Sequence, residues 1–219
     1  MYKRQHFIFN ALNAIQRFLT TNDREQAMNY LSNFGKLIRS VFEQSQLELI
    51  SLEEELDFLR LYLDLEKLRF MDAISIQLEV SPALQEISDE IHLPPLLIQP
   101  IIENSFKHGF LYKKEPGILS IKFSRVDAFL ICTVEDNGIG RKKAAALGQK
   151  TLKDRPSSGL KTSEERLSIL KSSERTNANN IKNSQLNFID LYNANGDVRG
   201  TLVEIKIYCS DLEPIKNYD

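Results

Sequence analysis

Tryptophan is missing from this sequence, and cysteine occurs only twice, at Cys132 and Cys209. Two thiols in strand-like runs cannot build a disulfide framework. Free, buried, reduced thiols fit best, with one bridge between neighbouring strands left open. Charge of one sign is not in excess either. Lys and Arg number 28 against 30 Asp and Glu, a formal net charge of −2. That gives no basic footprint for nucleic acid. No apolar run approaches the ~18 residues that would cross a bilayer. The opening "MYKRQHFIFN" is basic but too short and amphipathic for a signal peptide. No internal repeat is seen. Apolar residues are plentiful at 42% of the 219 positions, enough for a packed core and against global disorder.

The pattern is helical over residues 1–72. Ile8, Leu12, Ile15 and Leu19 form one stripe, with Phe7, Ala11, Ala14 and Phe18 beside it and His6, Asn10, Asn13 and Arg17 opposite. Asn22 or Asp23 is the expected N-cap of a second helix over 24–45, with Ala27, Leu31, Phe34, Leu37, Ile38 and Val41 inward. Ser51 and Glu54 make a capping box for a third helix. After Met71 the period changes. "ISIQLEV" alternates as a strand, and 94–112 reads as a helix opened by Pro94 and Pro95, with Pro100 awkwardly near its start. "GILSIKFS" and "AFLICTVED" are two more strands; 141–158 reads as a short helix and mobile loop, 159–171 as a helix, and 186–209 as a hairpin turning at "NANGD". The fold class is α+β: a helical hairpin ahead of a sheet of about five strands with helices on one face.

Three stretches can carry chemistry. "VEDNGIG" ends a strand on Asp136, whose carboxylate can accept from an exocyclic amino group such as that of adenine; Gly138 and Gly140 permit close backbone approach. Read alone, it is equally an ordinary turn. In "ENSFKHG", Asn104, Lys107 and His108 share a helix face at i, i+3 and i+4. An amide oxygen suits Mg²⁺ and a lysine suits phosphate. The bland alternative is a solvated face with Glu103 and Lys107 as an ion pair. In "SSGLKTSEERL", Gly159 precedes a helix whose first amides are free for phosphate.

Taken in order, "ENSFKHG", "DNGIG", "SGLKTSEERL" and "GTLVEIKI" resemble the ATP-binding domain shared by histidine kinases, gyrase, a heat-shock chaperone and mismatch-repair ATPases, the GHKL group. "HFIFNALNAI" and "YLDLEKLRF" narrow the resemblance to sensor histidine kinases of the LytS/YehU type, over nearly the whole chain. It implies a dimerisation and phosphoacceptor region over 1–72 and a GHKL-type α/β sandwich over 73–219, using ATP and Mg²⁺. His6 is the implied phosphoacceptor. Asn104 would hold the metal, Lys107 and His108 would face phosphate or ribose, and Asp136 would bind adenine. Gly138 and Gly140 would shape the pocket, Gly159 and Leu160 border lid and phosphates, and Thr201 supports Asp136. A homodimeric four-helix bundle and a response regulator are the implied partners, with no nucleic acid. Membrane attachment is expected only through a part upstream of this sequence, which places the chain in the cytoplasm.

Some positions depart from the family's pattern. Arg4 and Gln5 stand where Asn-Pro usually precedes the histidine. Lys161 and Thr162 replace part of the usual glycine-rich lid motif, and no acid follows His6 to serve as its base. Two rival readings remain: a non-catalytic nucleotide-binding dimerisation module, and a hydrolysing ATPase of the same group. The hydrolases carry a glutamate four residues before the metal-binding Asn, where this chain has Pro100.

Overall fold

The computed structural model describes residues 2–21, 23–71, 73–148 and 184–209. Two helices open it, α1 (Tyr2–Thr20) and α2 (Arg24–Gln44). Of the two candidate caps it is Asp23 that acts, its Oδ1 accepting from the Gln26 N–H at 3.0 Å. The hairpin buries Ala11, Ala14 and Phe18 with Ala27, Tyr30 and Leu37, and the Phe18 and Tyr30 rings sit 5.8 Å apart. Leu31 and Ile38 are exposed, correcting their inward assignment. The small side chains of α1 and the larger Tyr30 and Leu37 already complete the seam. Leu12 and Leu19 also lie outside it. Arg17 leaves the polar stripe too, donating to the Arg69 carbonyl at 2.8 Å.

α3 (Leu52–Arg69) follows the two-residue strand β1 (Ile50–Ser51). The expected capping box is present: Ser51 Oγ accepts from the Glu54 N–H at 3.1 Å, and Glu54 Oε2 accepts from the Ser51 N–H at 2.8 Å. α3 buries more than one stripe, including Leu52, Glu55, Leu59, Tyr62 and Glu66, because it touches both α2 and β2.

The main sheet has five strands: β2 (Ile74–Val80), β4 (Gly117–Val126), β5 (Phe129–Asp136), β6 (Gln185–Tyr192) and β7 (Val198–Tyr208). Their order is β2-β4-β5-β7-β6, with β2 parallel to β4 and the other pairs antiparallel. Between β2 and β4 lie a one-turn helix, α4 (Pro82–Gln85), a short strand, β3 (His92–Leu93), that pairs with β1, and α5 (Gln99–Asn104). α6 (Arg141–Gly148) leaves the loop after β5. Alternation buries Leu119, Ile121 and Phe123 of β4 with Leu130, Cys132 and Val134 of β5 and Val203, Ile205 and Ile207 of β7. Leu97, Ile101, Ile102 and Phe106 belong to the same core. Both cysteines are buried thiols, not joined in a disulfide. Cys132 faces Ile205 whereas Cys209 lies beyond the Phe129–Tyr208 pair, so the strands hold the thiols apart rather than bridging them.

The helix expected over 94–112 is different in detail. It starts at Gln99, so Pro94 and Pro95 lie in the preceding turn and Pro100 takes an early position where no N–H is needed. From Ser105 to Phe110 it widens into a π-helical turn.

Candidate nucleotide site

Asp136 is the last residue of β5. The alternation that buries Leu130, Cys132 and Val134 sends it inward as well, and it is 5% exposed. Its carboxylate is held on both oxygens. Ser105 Oγ donates to Oδ2 at 2.9 Å, and the Gly138 N–H donates to Oδ1 at 2.9 Å. Thr201 is its direct partner across the β5–β7 ladder and supplies a backbone hydrogen bond. Burial raises the pKa of Asp136. The bonds from Gly138, Ser105 and Thr201 oppose that rise, and the like charge of Glu135 adds to it.

Glycine is required in the loop. A Cβ on Gly138 would sit 2.7 Å from Asp136 Oδ1 and run into the backbone of Gly109. Gly140 has φ +78°, and a Cβ there would collide with Val198. The Ile139 N–H donates to the Gly109 carbonyl at 3.1 Å, tying the loop to the π-helical turn.

The expected residues fall as follows. Asn104 ends α5, immediately before the serine that binds Asp136. Its Nδ2 is buried and has no acceptor among the described residues. Lys107 forms an ion pair with Glu103, so the bland pairing read from the sequence is real. His108 is exposed; partial desolvation of its ring, and then Lys107, lower its pKa. His6 lies in α1, nearer its N-terminus than its middle. Gly159 and Leu160 lie outside the described residues.

This arrangement fits an adenine nucleotide and a divalent cation. A carboxylate offers about four acceptor positions, and three donors leave one for an amino group. Carbonyl oxygen and nitrogen of an amide exchange places by a flip, so the buried end of Asn104 can present a hard oxygen to a cation. Gly138 also lines a surface groove of about 400 Å³ with Lys113, Asn137, Lys143, Asn193 and Arg199.

Three contributors escaped sequence reading. Ser105 and Gly109 are small residues four apart in "ENSFKHG", a spacing that marks one face of a helix meeting something close. Glu55 gave no signal at all. It is fully buried in α3, and its two oxygens accept from the Leu96 N–H at 2.9 Å and the Ile98 N–H at 3.2 Å, at the entry to α5.

The histidine kinase family profile matches residues 4–74. The sensor protein LytS of Oceanobacillus iheyensis is 32% identical over 156 residues, 70% of this chain and 26% of its own. The chain belongs to the sensor histidine kinases of the LytS type. The sensor histidine kinase BtsS of Escherichia coli K12 is 32% identical over 132 residues, 60% of this chain and 22% of its own. This histidine kinase chain thus spans about a quarter of the length of the curated relatives it matches. In fold it is similar to the histidine kinase domain of a blue-light activated kinase from Erythrobacter litoralis, with a TM-score of 0.52 at 14% identity, covering 95% of this chain and 97% of that one. Among the described residues no helix is long and apolar enough to cross a membrane.

Proposed function

We propose that this chain is the cytoplasmic kinase part of a two-component sensor, which binds Mg²⁺–ATP, accepts the γ-phosphoryl on His6 and passes it to an aspartate of a response regulator. The observation that carries the reading is the meeting of α5 and the loop after β5. Ser105 grips Asp136 while the preceding residue, Asn104, keeps a buried amide nitrogen that has no acceptor among the described residues. Bound ATP supplies the phosphoryl group. Asp136 would accept the adenine amino group, with Thr201, Gly138 and Gly140 forming its surroundings. Asn104 would hold the cation. Lys107 would exchange Glu103 for a phosphate oxygen, and His108 lies one residue further along the same turn. Gly159 and Leu160 would border the phosphates.

Residues 1–72 would form the dimerisation and phosphoacceptor region and 73–219 the ATP-binding domain. Catalysis in such an arrangement comes from positioning and charge stabilisation. A neutral imidazole is nucleophilic near pH 7, which suits His6 to the acceptor role. Pro100, buried in α5 four residues before Asn104, cannot activate water, and this favours phosphotransfer over hydrolysis. The exposed Leu12, Leu19, Leu31 and Ile38 support a symmetric dimer.

The experiment is incubation of the chain with γ-labelled ATP and Mg²⁺. Base-stable, acid-labile label that vanishes in His6→Gln is expected. Steady phosphate release without labelled protein would favour hydrolysis instead, and ATP binding with neither would favour a non-catalytic module.

A further inference from the structure

We infer that Ser105 is a positioning residue that sets base specificity, holding the Asp136 carboxylate in the orientation that reads a 6-aminopurine. The inference rests on the adenine reading proposed above. Ser105 and Asp136 are 4% and 5% exposed, so neither relies on bulk water. A carboxylate only accepts, so the serine hydroxyl must be the donor of their 2.9 Å bond. Gly138 takes the opposite oxygen at 2.9 Å. Two donors on two oxygens fix the plane of the carboxylate, because rotation about its last torsion breaks one bond or both.

Hydrogen bonds rather than a cation set this orientation. The groups facing Asp136 from the π-helical turn, from the loop and from β7 are Ser105, Gly109, Gly138 and Thr201, all uncharged. Among the described residues, the charge that acts on it is that of Glu135, which has the same sign. Without the hydroxyl, only Gly138 and Thr201 among the described residues hold the carboxylate, and its other oxygen can turn toward another donor or take a proton. In either state it is a poorer acceptor for an amino group. The cost falls on recognition of the 6-amino group and not on binding of sugar or phosphate.

The test is calorimetric titration of the whole chain, with Mg²⁺, by ATP and by purine riboside triphosphate, which lacks only the 6-amino group. The ratio of the two affinities measures discrimination. Loss of a hydrogen bond to a buried charge predicts that Ser105→Ala weakens ATP about tenfold or more, with little change for the amino-free analogue. Ser105→Cys keeps the volume with a weak donor and is expected to shift the ratio in the same direction; it decides the matter if the alanine variant does not fold. The inference is overturned if both nucleotides weaken in step, or if discrimination in the folded variants stays within about twofold of wild type, a change well below that of one such bond. Asp136→Asn separates the two levels. If it keeps full ATP affinity, the adenine reading falls and takes the inference with it. If it loses ATP while the Ser105 variants discriminate normally, the inference alone falls.

Discussion

Asp136 illustrates how one residue can be legible by chemistry and by period at once. A strand that alternates as "FLICTVED" buries every second side chain, so an acid in the buried register must find donors or stay neutral. It finds Ser105 and Gly138. A second buried titratable group lies at the junction of α2 and α3. Tyr30 is 3% exposed, and burial, then the charge of Glu66, push its pKa from 10.0 up to about 12. The folded state therefore holds this proton more tightly than the unfolded one. The stabilisation it gives is complete below pH 10 and is lost as pH rises toward about 12. Tyr30→Phe should flatten the alkaline limb of a stability–pH curve measured by urea unfolding; an unchanged slope would show that Tyr30 ionises as freely folded as unfolded.

At the scale of elements, the device that positions the site is the contact of α3 with the entry to α5. Glu55 serves two backbone amides more than 40 residues ahead of it in sequence, in a stretch where Leu96 adopts φ +56°. Glu55→Ala removes a shared buried acceptor and should cost about 2–5 kcal/mol of stability. Glu55→Gln, which keeps one oxygen, should cost less. Equal unfolding midpoints for both variants and wild type would contradict the clamp. Local signals revealed α2, α3 and the five strands of the main sheet, though not β1 or β3, because caps and periods lie within a few residues of each other, as with Asp23, or Ser51 and Glu54. They could not reveal the true start of α5. A proline pair commonly opens a helix, yet here Glu55 and the Leu96 conformation delay it to Gln99. Nor could they show the π-helical turn, whose Ser105 and Gly109 meet Asp136 and Ile139 far along the chain.

At the scale of the molecule, the exposed apolar faces of α1 and α2 bear on the proposed dimer. Met28, Leu31, Ile38 and Phe42 are exposed, and with Gly35 they follow the alternating three- and four-residue spacing of a coiled-coil seam. Periodicity singled out Leu31 and Ile38 but assigned them inward and passed over Met28 and Phe42, because spacing alone does not separate a face toward the neighbouring helix from one left for a proposed second copy. Leu31→Glu with Ile38→Glu should convert a dimer to a monomer by light scattering while leaving the unfolding of the sheet domain little changed. A dimer that survives both substitutions would place the interface elsewhere. The central proposal is that the nucleotide binds where α5 and its π-helical continuation meet the loop after β5. A crystal structure with an unreactive ATP analogue and Mg²⁺ tests it most directly. The account predicts the 6-amino nitrogen at about 2.7–3.2 Å from an Asp136 oxygen, with Asn104 at the metal. A base seated instead in the groove of Lys113, Lys143 and Arg199, without contact to Asp136, would contradict it.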